Sequence, residues 1–397
     1  MPRFSLLLVL LLGSHPACAE TSFRLPIAAP GDAGLSAEKI QRIEAIVQEG
    51  LEQKKMPGCV VLVGRKDKIM LLRAYGNKRL EPAPEPMTTD TVFDLASLTK
   101  PIATATSVMI LVDQKKLQLD EPVAAYLPEF AAASKEKVTV RQLLIHTSGL
   151  IPDNSLKDYG EGAEKAIARV LALKPQSPPG ERFAYSDMNY VVLGELVNKL
   201  SGQRVYECAR EHIFQPLGMQ ETTYLPGEDL KKRAAPTEKR DGKWMQGEVH
   251  DPRAFKLGGI AGHAGLFSTA EDLAIYASMM LGRGERGGKR ILSGDAWTRM
   301  TTPNKVPARR NNGTDHEGLR GLGWDMQSGY SINRGESFSS AAFGHGGFTG
   351  TAIWIDPERD LFLIFLSNRV HPDGKGVVNP LIGRIGTVVG EWRNPNE

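Results

Sequence analysis

Apolar and polar residues near the amino end repeat first with the period of a helix and then with that of two strands. After Ser36, apolar residues recur on one helical face as far as Leu51, and Pro57-Gly58 then interrupts the pattern. Mostly apolar runs follow at 59–63 and 69–74, separated by a short polar stretch. This order predicts one amphipathic helix followed by a β-hairpin.

The middle of the chain, about 101–300, has the pattern of helices joined by loops. Ser186 is a candidate N-cap for a helix that ends at Ser201-Gly202. A capping box at 268–271 precedes a second clear helix. Two segments are charged and rich in glycine, which predicts mobile loops at 283–290 and 305–320.

Strand patterns return near the carboxyl end. The apolar runs 352–355 and 361–366 flank a turn at 356–359, and Pro380 opens a final amphipathic helix. We therefore predict an α+β fold, in which an antiparallel β-sheet from both chain ends is flanked by helices and carries a mostly helical insertion domain. The predicted sheet domain comprises 20–100 and 320–397, the helical domain comprises 101–319, and a cleft separates them.

The composition excludes several classes of protein. The 397 residues are 41% hydrophobic and 24% charged, which excludes a disordered chain. The formal net charge is only +3, so we expect no nucleic-acid partner. Beyond residue 19 the chain has two cysteines, Cys59 and Cys208, too few for a disulfide framework, and we expect two separate buried thiols. The oligomeric state stays open.

The first residues have the pattern of a secretory signal peptide, predicted to comprise 1–19. Arg3 supplies the positive charge, residues 4–12 form an apolar segment, and Ala17 and Ala19 form a site that predicts cleavage after Ala19. This apolar segment is too short to span roughly 30 Å of hydrocarbon as a helix. An uncleaved anchor and lipidation of Cys18 are the alternatives. We expect a periplasmic or secreted protein with no stable membrane insertion after cleavage.

The first of three chemical motifs is Ser97-Leu98-Thr99-Lys100. Helical spacing places Ser97 and Lys100 on one face. A serine hydroxyl becomes an effective nucleophile when a neighbouring base takes its proton, and a lysine can do so when its pKa is lowered. In isolation, such a pair is more often a capping serine beside a solvated lysine.

The other two motifs are Tyr185-Ser186-Asp187 and Gly344-His345-Gly346-Gly347-Phe348. A tyrosine near a lysine charge can shuttle a proton, or it can be an ordinary core residue. Glycines at a strand edge allow a ligand to approach the backbone closely, although a glycine-rich turn has the same composition. A backbone N–H at that edge can complete an oxyanion hole with the N–H of Ser97.

In this order, the three motifs resemble those of the serine β-lactamase and penicillin-binding protein superfamily, in its branch of class C β-lactamases, D,D-peptidases and related esterases. Ser97-x-x-Lys100 is similar to its first motif, Tyr185-x-Asp187 to its Tyr-x-Asn motif, and His345-Gly346-Gly347 to its Lys/His-Thr/x-Gly motif. Supporting strings extend the resemblance over about 32–392; they are 143–150, 179–185, 214–219, 264–272 and 321–324.

The resemblance implies a role for each of these residues. Ser97 would attack a carbonyl carbon and become acylated, Lys100 and Tyr185 would share the general-base work, and water would release the acyl group. The N–H groups of Ser97 and Phe348 would stabilise the oxyanion, and His345 would replace the usual lysine. No cofactor is expected, and the substrate would be a small molecule or a muropeptide.

Two departures from the family pattern bear on the substrate. Asp187 stands in place of Asn, and an ionised aspartate cannot donate a hydrogen bond and holds Lys100 charged. His345-Gly346 lacks the lysine and hydroxyl that commonly hold a β-lactam carboxylate. We therefore expect peptidoglycan-derived amides, cleaved as by a D-Ala-D-Ala carboxypeptidase or an N-acetylmuramoyl-L-alanine amidase. The alternatives are a carboxylesterase, a weak class C-type β-lactamase and a penicillin-binding sensor without turnover.

Further histidines and one aspartate offer ligand types that zinc accepts, namely His250, Asp251, His263 and His345. Their spacing matches no standard zinc motif. We expect no metal, and instead a hydrogen-bonded His–Asp pair that lines the cleft, with His250 and Asp251 among the substrate-binding residues.

Overall fold

The computed structural model of the chain describes residues 23–28, 35–309 and 315–391. The predicted signal peptide, its cleavage site after Ala19 and Cys18 lie outside these ranges. Among the described residues, none of the helices combines the length and the apolar character that a bilayer crossing requires.

The strands are β1 (Gly58–Arg65), β2 (Lys68–Arg79), β3 (Glu85–Pro86), β4 (Phe93–Asp94), β5 (Lys239–Arg240), β6 (Lys243–Trp244), β7 (Phe267–Ser268), β8 (Glu285–Arg286), β9 (Lys289–Arg290), β10 (Asn304–Arg309), β11 (Asp315–Arg320), β12 (Asp325–Gln327), β13 (Phe343–Gly347), β14 (Thr351–Asp356) and β15 (Leu361–Ser367). Within the described ranges, nine of them form an antiparallel sheet in the order β10-β11-β12-β13-β14-β15-β1-β2-β3. The remaining strands pair as β4-β7, β5-β6 and β8-β9.

The α-helices are α1 (Ala37–Glu52), α2 (Thr106–Asp113), α3 (Val140–Leu144), α4 (Ala163–Leu171), α5 (Asp187–Ser201), α6 (Val205–Ala209), α7 (Gln215–Leu217), α8 (Glu228–Arg233), α9 (Pro252–Lys256), α10 (Ala270–Leu281), α11 (Gly294–Thr301) and α12 (Asn379–Gly390). Two π-helical segments, Lys100–Ala105 and Arg210–Phe214, precede α2 and α7. Short 3-10 turns occupy much of the sequence between α2 and α4.

Helices cover both faces of the sheet. Alternate side chains of β1 point to opposite faces, so Val60 and Leu62 join a larger apolar cluster while Val61 and Val63 join a smaller one. Helices α1 and α12 pack on the smaller side, and α2, α5 and α10 contribute to the larger. The strand is therefore apolar along nearly its whole length because neither face meets water.

The predicted α+β fold is confirmed, since both chain ends build the antiparallel sheet and helices cover it. Helix α1 follows its N-cap Ser36, and α5 follows its N-cap Ser186 and ends at Gly202, which has a φ of 73°. The N-cap of α10 is Thr269, the second residue of the predicted capping box. The two buried thiols are also confirmed, because Cys59 and Cys208 are both buried and free.

Two predicted loops are wrong. In place of a loop at 305–320, β10 and β11 pair with each other at one edge of the sheet. Strand β10 lies at an edge of the sheet, and an edge strand tolerates charged residues. In place of a loop at 283–290, β8 and β9 form a short hairpin. The sheet therefore begins at Asn304 on its carboxyl-terminal side, and the division into domains stays a prediction.

The segment that leads to Ser97 is hydrogen-bonded to the large sheet and packs against it. Thr351 Oγ1 donates a hydrogen bond to the carbonyl oxygen of Leu95 at 3.0 Å, and the N–H of Leu95 donates to Leu266 O at 2.9 Å. Gly347 lies so close that a β-carbon there would be 2.4 Å from the Leu95 carbonyl oxygen. Strand β13 and the segment before Ser97 are thus in direct backbone contact.

The first prediction tests this close approach. In Gly347→Ala the added methyl group meets backbone that cannot rotate away, so we expect the free energy of unfolding to fall by about 1–3 kcal/mol. Gly294→Ala is the matched control, because nothing lies within 4 Å of a β-carbon there. We expect it to change stability by less than about 0.5 kcal/mol in urea denaturation. Equal stability of the two variants would contradict the close approach.

Candidate active site

Ser97 lies in an irregular helical segment that starts directly after β4. Ala96–Leu98 form a 3-10 turn and Lys100–Ala105 a π-helix, which α2 continues. Ala96 has a φ of 45°, a costly conformation for a residue with a β-carbon, and its N–H donates to Asp94 Oδ1 at 2.8 Å. Such strained and π-helical segments are frequent at functional sites.

Lys100 is the central group of the site. Its side chain is completely buried, and its ammonium forms an ion pair with Asp187 Oδ1 at 2.7 Å. It also donates hydrogen bonds to Ser97 Oγ at 2.9 Å and to the carbonyl oxygen of His263 at 3.1 Å. Three oxygen atoms therefore surround an ammonium group that has three N–H donors.

The surroundings of Lys100 keep it protonated. Burial by itself lowers the pKa of Lys100, but the negative charge of Asp187 and then the phenol of Tyr185 outweigh burial, so the pKa lies above its usual value of 10.5. This agrees with the expectation that Asp187 opposes the use of Lys100 as a base. A protonated Lys100 has no lone pair with which to accept a proton from Ser97 Oγ.

Tyr185 and Asp187 reach the site because α5 begins between them. The side chain of Ser186 caps α5 by accepting the N–H of Asn189, and its own hydroxyl donates to Ile151 O at 2.6 Å. His146 Nδ1 accepts the N–H of Ser186 at 3.1 Å. The start of α5 is thus fixed from two sides, which directs the two flanking side chains toward Lys100.

The ring of Tyr185 lies within a group of aromatic rings. The centroid of its ring is 4.4 Å from that of His146, 5.0 Å from that of Tyr330 and 5.9 Å from that of His345. Lys100 Nζ is 5.0 Å from the same centroid. The structure therefore brings Ser97, Lys100 and Tyr185 together, since Lys100 contacts both of the others.

Both histidines in this group are neutral. Burial, followed by the positive charges of Arg320 and Lys100, lowers the pKa of His146 and of His345 well below the usual value of 6.5. His345 Nδ1 donates to the carbonyl oxygen of Gly346 at 2.7 Å, which fixes its tautomer. His345 therefore supplies no positive charge to the site.

The third motif lies within strand β13 and the turn that follows it. A β-carbon on Gly346 would meet the Asn333 side chain, and one on Gly347 would meet Leu95. The ring of Phe348 is 59% exposed and is held between the His250 ring, 5.5 Å away, and the Arg369 guanidinium, 4.5 Å away. Phe348 and Ser97 border the same cleft.

Of the histidines named in the sequence, His263 forms a His–Asp pair with Asp251; Asp251 lines the cleft, and His263 is buried behind it. His263 Nε2 lies 3.0 Å from Asp251 Oδ1, an oxygen that also caps α9 by accepting the N–H of Ala254. His250 instead contacts Glu238 Oε2 at 2.6 Å. Burial by itself raises the pKa of Asp251, but the neighbouring His263 outweighs burial. The pKa of this carboxyl therefore lies well below its usual range.

Asp187, Asp251 and His263 offer donor atoms within 4.8 Å of one another, the spacing of a possible metal site. Each of these side chains already has a partner in the structure: Asp187 binds the Lys100 ammonium, and Asp251 and His263 bind each other. The cation in contact with this group is therefore Lys100, and the expectation that no metal is needed stays a prediction.

The site opens into a cleft of about 860 Å³. Sequence reasoning missed several of the groups around it, of which His146 lies in one of the strings that carried the family resemblance. Tyr330, which is 54% exposed and stacks on Tyr185, had no motif to mark it. The cleft is lined by Ser97, Tyr185, Asp187, His250, Asp251 and Phe348 and also by Asp153, Arg182, Arg253, His316 and Tyr330.

Comparisons with known proteins agree with this geometry. The family model described as Beta-lactamase matches residues 43–386. The chain is 32% identical to N-acetylmuramyl-L-alanine amidase of Bacillus subtilis (strain 168), over 85% of this chain and 83% of the relative. It is 28% identical to a protein of Escherichia coli (strain K12) provisionally named as a D-alanyl-D-alanine carboxypeptidase, over 94% and 92% of the two chains. The structure of a penicillin-binding protein homologue from Caulobacter crescentus has a TM-score of 0.70 at 22% identity, covering 90% of this chain and 98% of that one.

The second prediction concerns the ion pair. In Asp187→Asn the buried ammonium loses its counter-charge, so we expect the free energy of unfolding at pH 6 to fall by about 3 kcal/mol. In the unaltered protein the raised pKa of Lys100 means that its contribution to stability is fully present below pH 10.5 and is lost only above it. Without Asp187 the folded-state pKa of Lys100 falls below 10.5, so the deficit shrinks as pH rises.

Urea denaturation at pH 6 and pH 9 measures this difference. Asp153→Asn is the control, because Asp153 also lines the cleft but pairs with Arg253 Nη1, at 3.3 Å, and not with Lys100. We expect its effect on stability to be the same at both pH values. A deficit of Asp187→Asn that is equally independent of pH would show that Asp187 does not hold the charge of Lys100.

Proposed function

Because the chain belongs to the Beta-lactamase family and is a serine hydrolase, we propose that it cleaves amide bonds in peptidoglycan-derived molecules through an acyl-enzyme on Ser97. The observation that carries this proposal is the position of Lys100. One buried ammonium contacts Ser97 Oγ, Asp187 and the face of the Tyr185 ring in a single cleft.

In the proposed acylation, Ser97 Oγ attacks the carbonyl carbon while its proton passes to the phenolate oxygen of Tyr185. The Lys100 ammonium stabilises that phenolate, because a positive charge close to a phenol favours its anionic form. When the C–N bond breaks, the electron pair remains on the leaving nitrogen, which takes the proton from Tyr185. An ester of Ser97 and a free amine result.

Deacylation uses the same groups in the reverse order. Tyr185 accepts a proton from water, the resulting hydroxide attacks the ester carbonyl, and the proton returns to Ser97 Oγ as the C–O bond breaks. The N–H groups of Ser97 and Phe348 are proposed to stabilise the oxyanion in both steps. Close contact between β13 and the segment before Ser97 supports this role, because it holds the two donors to one geometry.

Among peptidoglycan amides, we propose the bond between the muramoyl lactyl group and L-alanine, as in an N-acetylmuramoyl-L-alanine amidase. A carboxypeptidase acts next to a substrate carboxylate, which needs a nearby positive charge. His345 is neutral and cannot supply that charge. Of the cations near Ser97, Lys100 is paired with Asp187 and Arg253 with Asp153, so both already have a carboxylate partner.

A D-Ala-D-Ala carboxypeptidase is the second candidate. It is favoured by the similarity to the Escherichia coli relative over almost the whole of both chains. Arg182 is exposed at the cleft and could receive a carboxylate farther from Ser97. The two candidates differ in the product that is released.

Peptidoglycan lies outside the cytoplasmic membrane, so this function requires export. We propose that the segment ending at Ala19 is a signal peptide that directs the protein to the periplasm or the medium. The substrate is then a muropeptide or a small fragment, and no nucleic acid takes part.

The third prediction identifies the nucleophile and the bond that is cut. The unaltered protein should be labelled once by a fluorophosphonate probe and should release the whole stem peptide from a muropeptide mixture. Ser97→Ala should lose both labelling and turnover by at least about a thousandfold, because no other group can form the acyl-enzyme. Intact-mass analysis of the protein and mass analysis of the products measure these outcomes.

Ser107→Ala is the matched control, since Ser107 is a buried serine of α2 that is absent from the cleft lining. It should keep full labelling and activity. Loss of a single D-alanine from the substrate would favour the carboxypeptidase, and turnover of short esters alone would favour an esterase. A long-lived penicillin adduct without any product would favour a sensor. Unimpaired turnover by Ser97→Ala would refute the mechanism.

A further inference from the structure

Arg320, the last residue of β11, is a buried cation that the proposed mechanism does not use. Its side chain is completely inaccessible, and its Nε and Nη2 atoms have no hydrogen-bond partner among the described residues. Its Nη1 atom lies 3.4 Å from Asp325 Oδ1. Burying a guanidinium with two unsatisfied nitrogen atoms is costly, and such a cost is expected where the charge has a role in function.

The guanidinium lies behind the rings that surround Tyr185. Its central carbon is 5.4 Å from the centroid of the Phe183 ring. The Phe183 ring centroid is 6.2 Å from that of His146 and 6.0 Å from that of Tyr330, both in an edge-to-face arrangement, and each of these two rings is tilted against Tyr185. Arg320 is not among the residues that line the cleft, and the contacts that connect it to Tyr185 run through the Phe183, His146 and Tyr330 rings.

The two ends of the Arg320–Asp325 ion pair have different neighbours. Asp325 Oδ2, the carboxylate oxygen that Arg320 does not contact, accepts a hydrogen bond from the Ser331 hydroxyl at 2.7 Å. The charge of Arg320 contributes to the low pKa of both His146 and His345, whereas no such effect of Asp325 on these histidines is resolved. The guanidinium is the end of the pair that contacts the Phe183 ring. At Tyr330, where burial raises the pKa, both ends act: Arg320 lowers the pKa of that phenol and Asp325 raises it.

We propose that Arg320 is a positioning residue for the reaction, which stabilises the phenolate of Tyr185 from behind while Lys100 does so from the cleft. The inference rests on the proposed role of Tyr185 as the proton acceptor. It explains how the site works with Asp187, whose charge cancels that of Lys100.

A survey of the charges around Tyr185 supports this assignment. Lys100 and Asp187 form a neutral pair, and His146 and His345 are neutral. Burial raises the pKa of Tyr190 and of Tyr330, so both phenols are neutral as well. The Arg320–Asp325 pair adds its field to that of the other charged side chains at the cleft, which are Asp153, Arg182, Asp251 and Arg253. The groups named here face Tyr185 from several elements. They are Lys100 of the π-helix, His146 after α3, Asp187 and Tyr190 of α5, Arg320 of β11, Asp325 of β12, Tyr330 after β12, and His345 of β13.

The experiment measures the rate of Ser97 labelling by a fluorophosphonate probe between pH 5 and pH 10. In this step the Ser97 oxygen bonds to phosphorus, fluoride leaves with its electron pair, and the proton passes to Tyr185. Arg320→Met removes positive charge, so the acid limb of the rate profile should move to higher pH by about one unit, an approximately tenfold loss of rate below the limb. Arg320→Lys should keep the limb close to its original position.

The partner residue gives a change of the opposite sign. Asp325→Asn leaves the guanidinium uncompensated, so the acid limb should move to lower pH. Arg286→Met is the control for loss of a partly buried arginine: Arg286 lies in the β8–β9 hairpin, and its Nε is also without a hydrogen-bond partner. Its profile should be unchanged. The Asp325→Asn and Arg320→Lys profiles decide the question even where Arg320→Met does not fold.

The outcomes separate this inference from the proposed function. The role of Arg320 is overturned if the acid limb stays at the same pH in both the Arg320→Lys and the Asp325→Asn variant. It is also overturned if the limbs of all the variants move in one direction. A weaker initial binding of the probe with an unmoved limb in Arg320→Met would instead make Arg320 a ligand contact and would also overturn it. Absence of labelling in the unaltered protein, or undiminished labelling of Tyr185→Phe, would overturn the proposed function itself.

Discussion

The site depends on the burial of one ammonium group. Lys100 has no contact with solvent, and a buried charge is tolerated only when its donors are matched by acceptors. The three oxygen atoms come from three separate parts of the chain: the 3-10 turn at Ser97, the start of α5 at Asp187 and the carbonyl of His263. The three contacts that satisfy the Lys100 ammonium therefore also connect the sheet side of the cleft to its helical side.

This constraint also shapes the chemistry. In the proposed mechanism, Lys100 stays protonated beside Asp187 and acts through its charge, and the phenol of Tyr185 moves the protons. In the proposed function, the neutral state of His345 and the pairing of Lys100 with Asp187 favour an uncharged group beside Ser97. A substrate that brings an uncharged amide to this place suits the site better than one that brings a carboxylate.

The fold class and the main candidate residues of the site could be predicted from the sequence, because the helices, strands and motifs that indicate them are local patterns. Helix α5, for example, follows from Ser186 as its cap and Gly202 as its end. The edge strand β10 was missed, since its stability comes from pairing with β11 and not from its own charged composition. The positions of Tyr330 and Arg320 at the site could not be predicted from the sequence either, because each depends on which rings the folded chain places beside it. His263 was noticed, but its partner Asp251 could be assigned only from the structure.

The most direct test of the account is the protonation state of Lys100 in the unaltered protein. Nuclear magnetic resonance of lysine labelled with ¹⁵N at Nζ distinguishes an ammonium from an amine, and loss of the signal in Lys100→Met assigns it. We expect the Lys100 signal to remain that of an ammonium throughout pH 6 to pH 9. A transition to the neutral amine within that range would make Lys100 the base and would contradict the division of work between Lys100 and Tyr185.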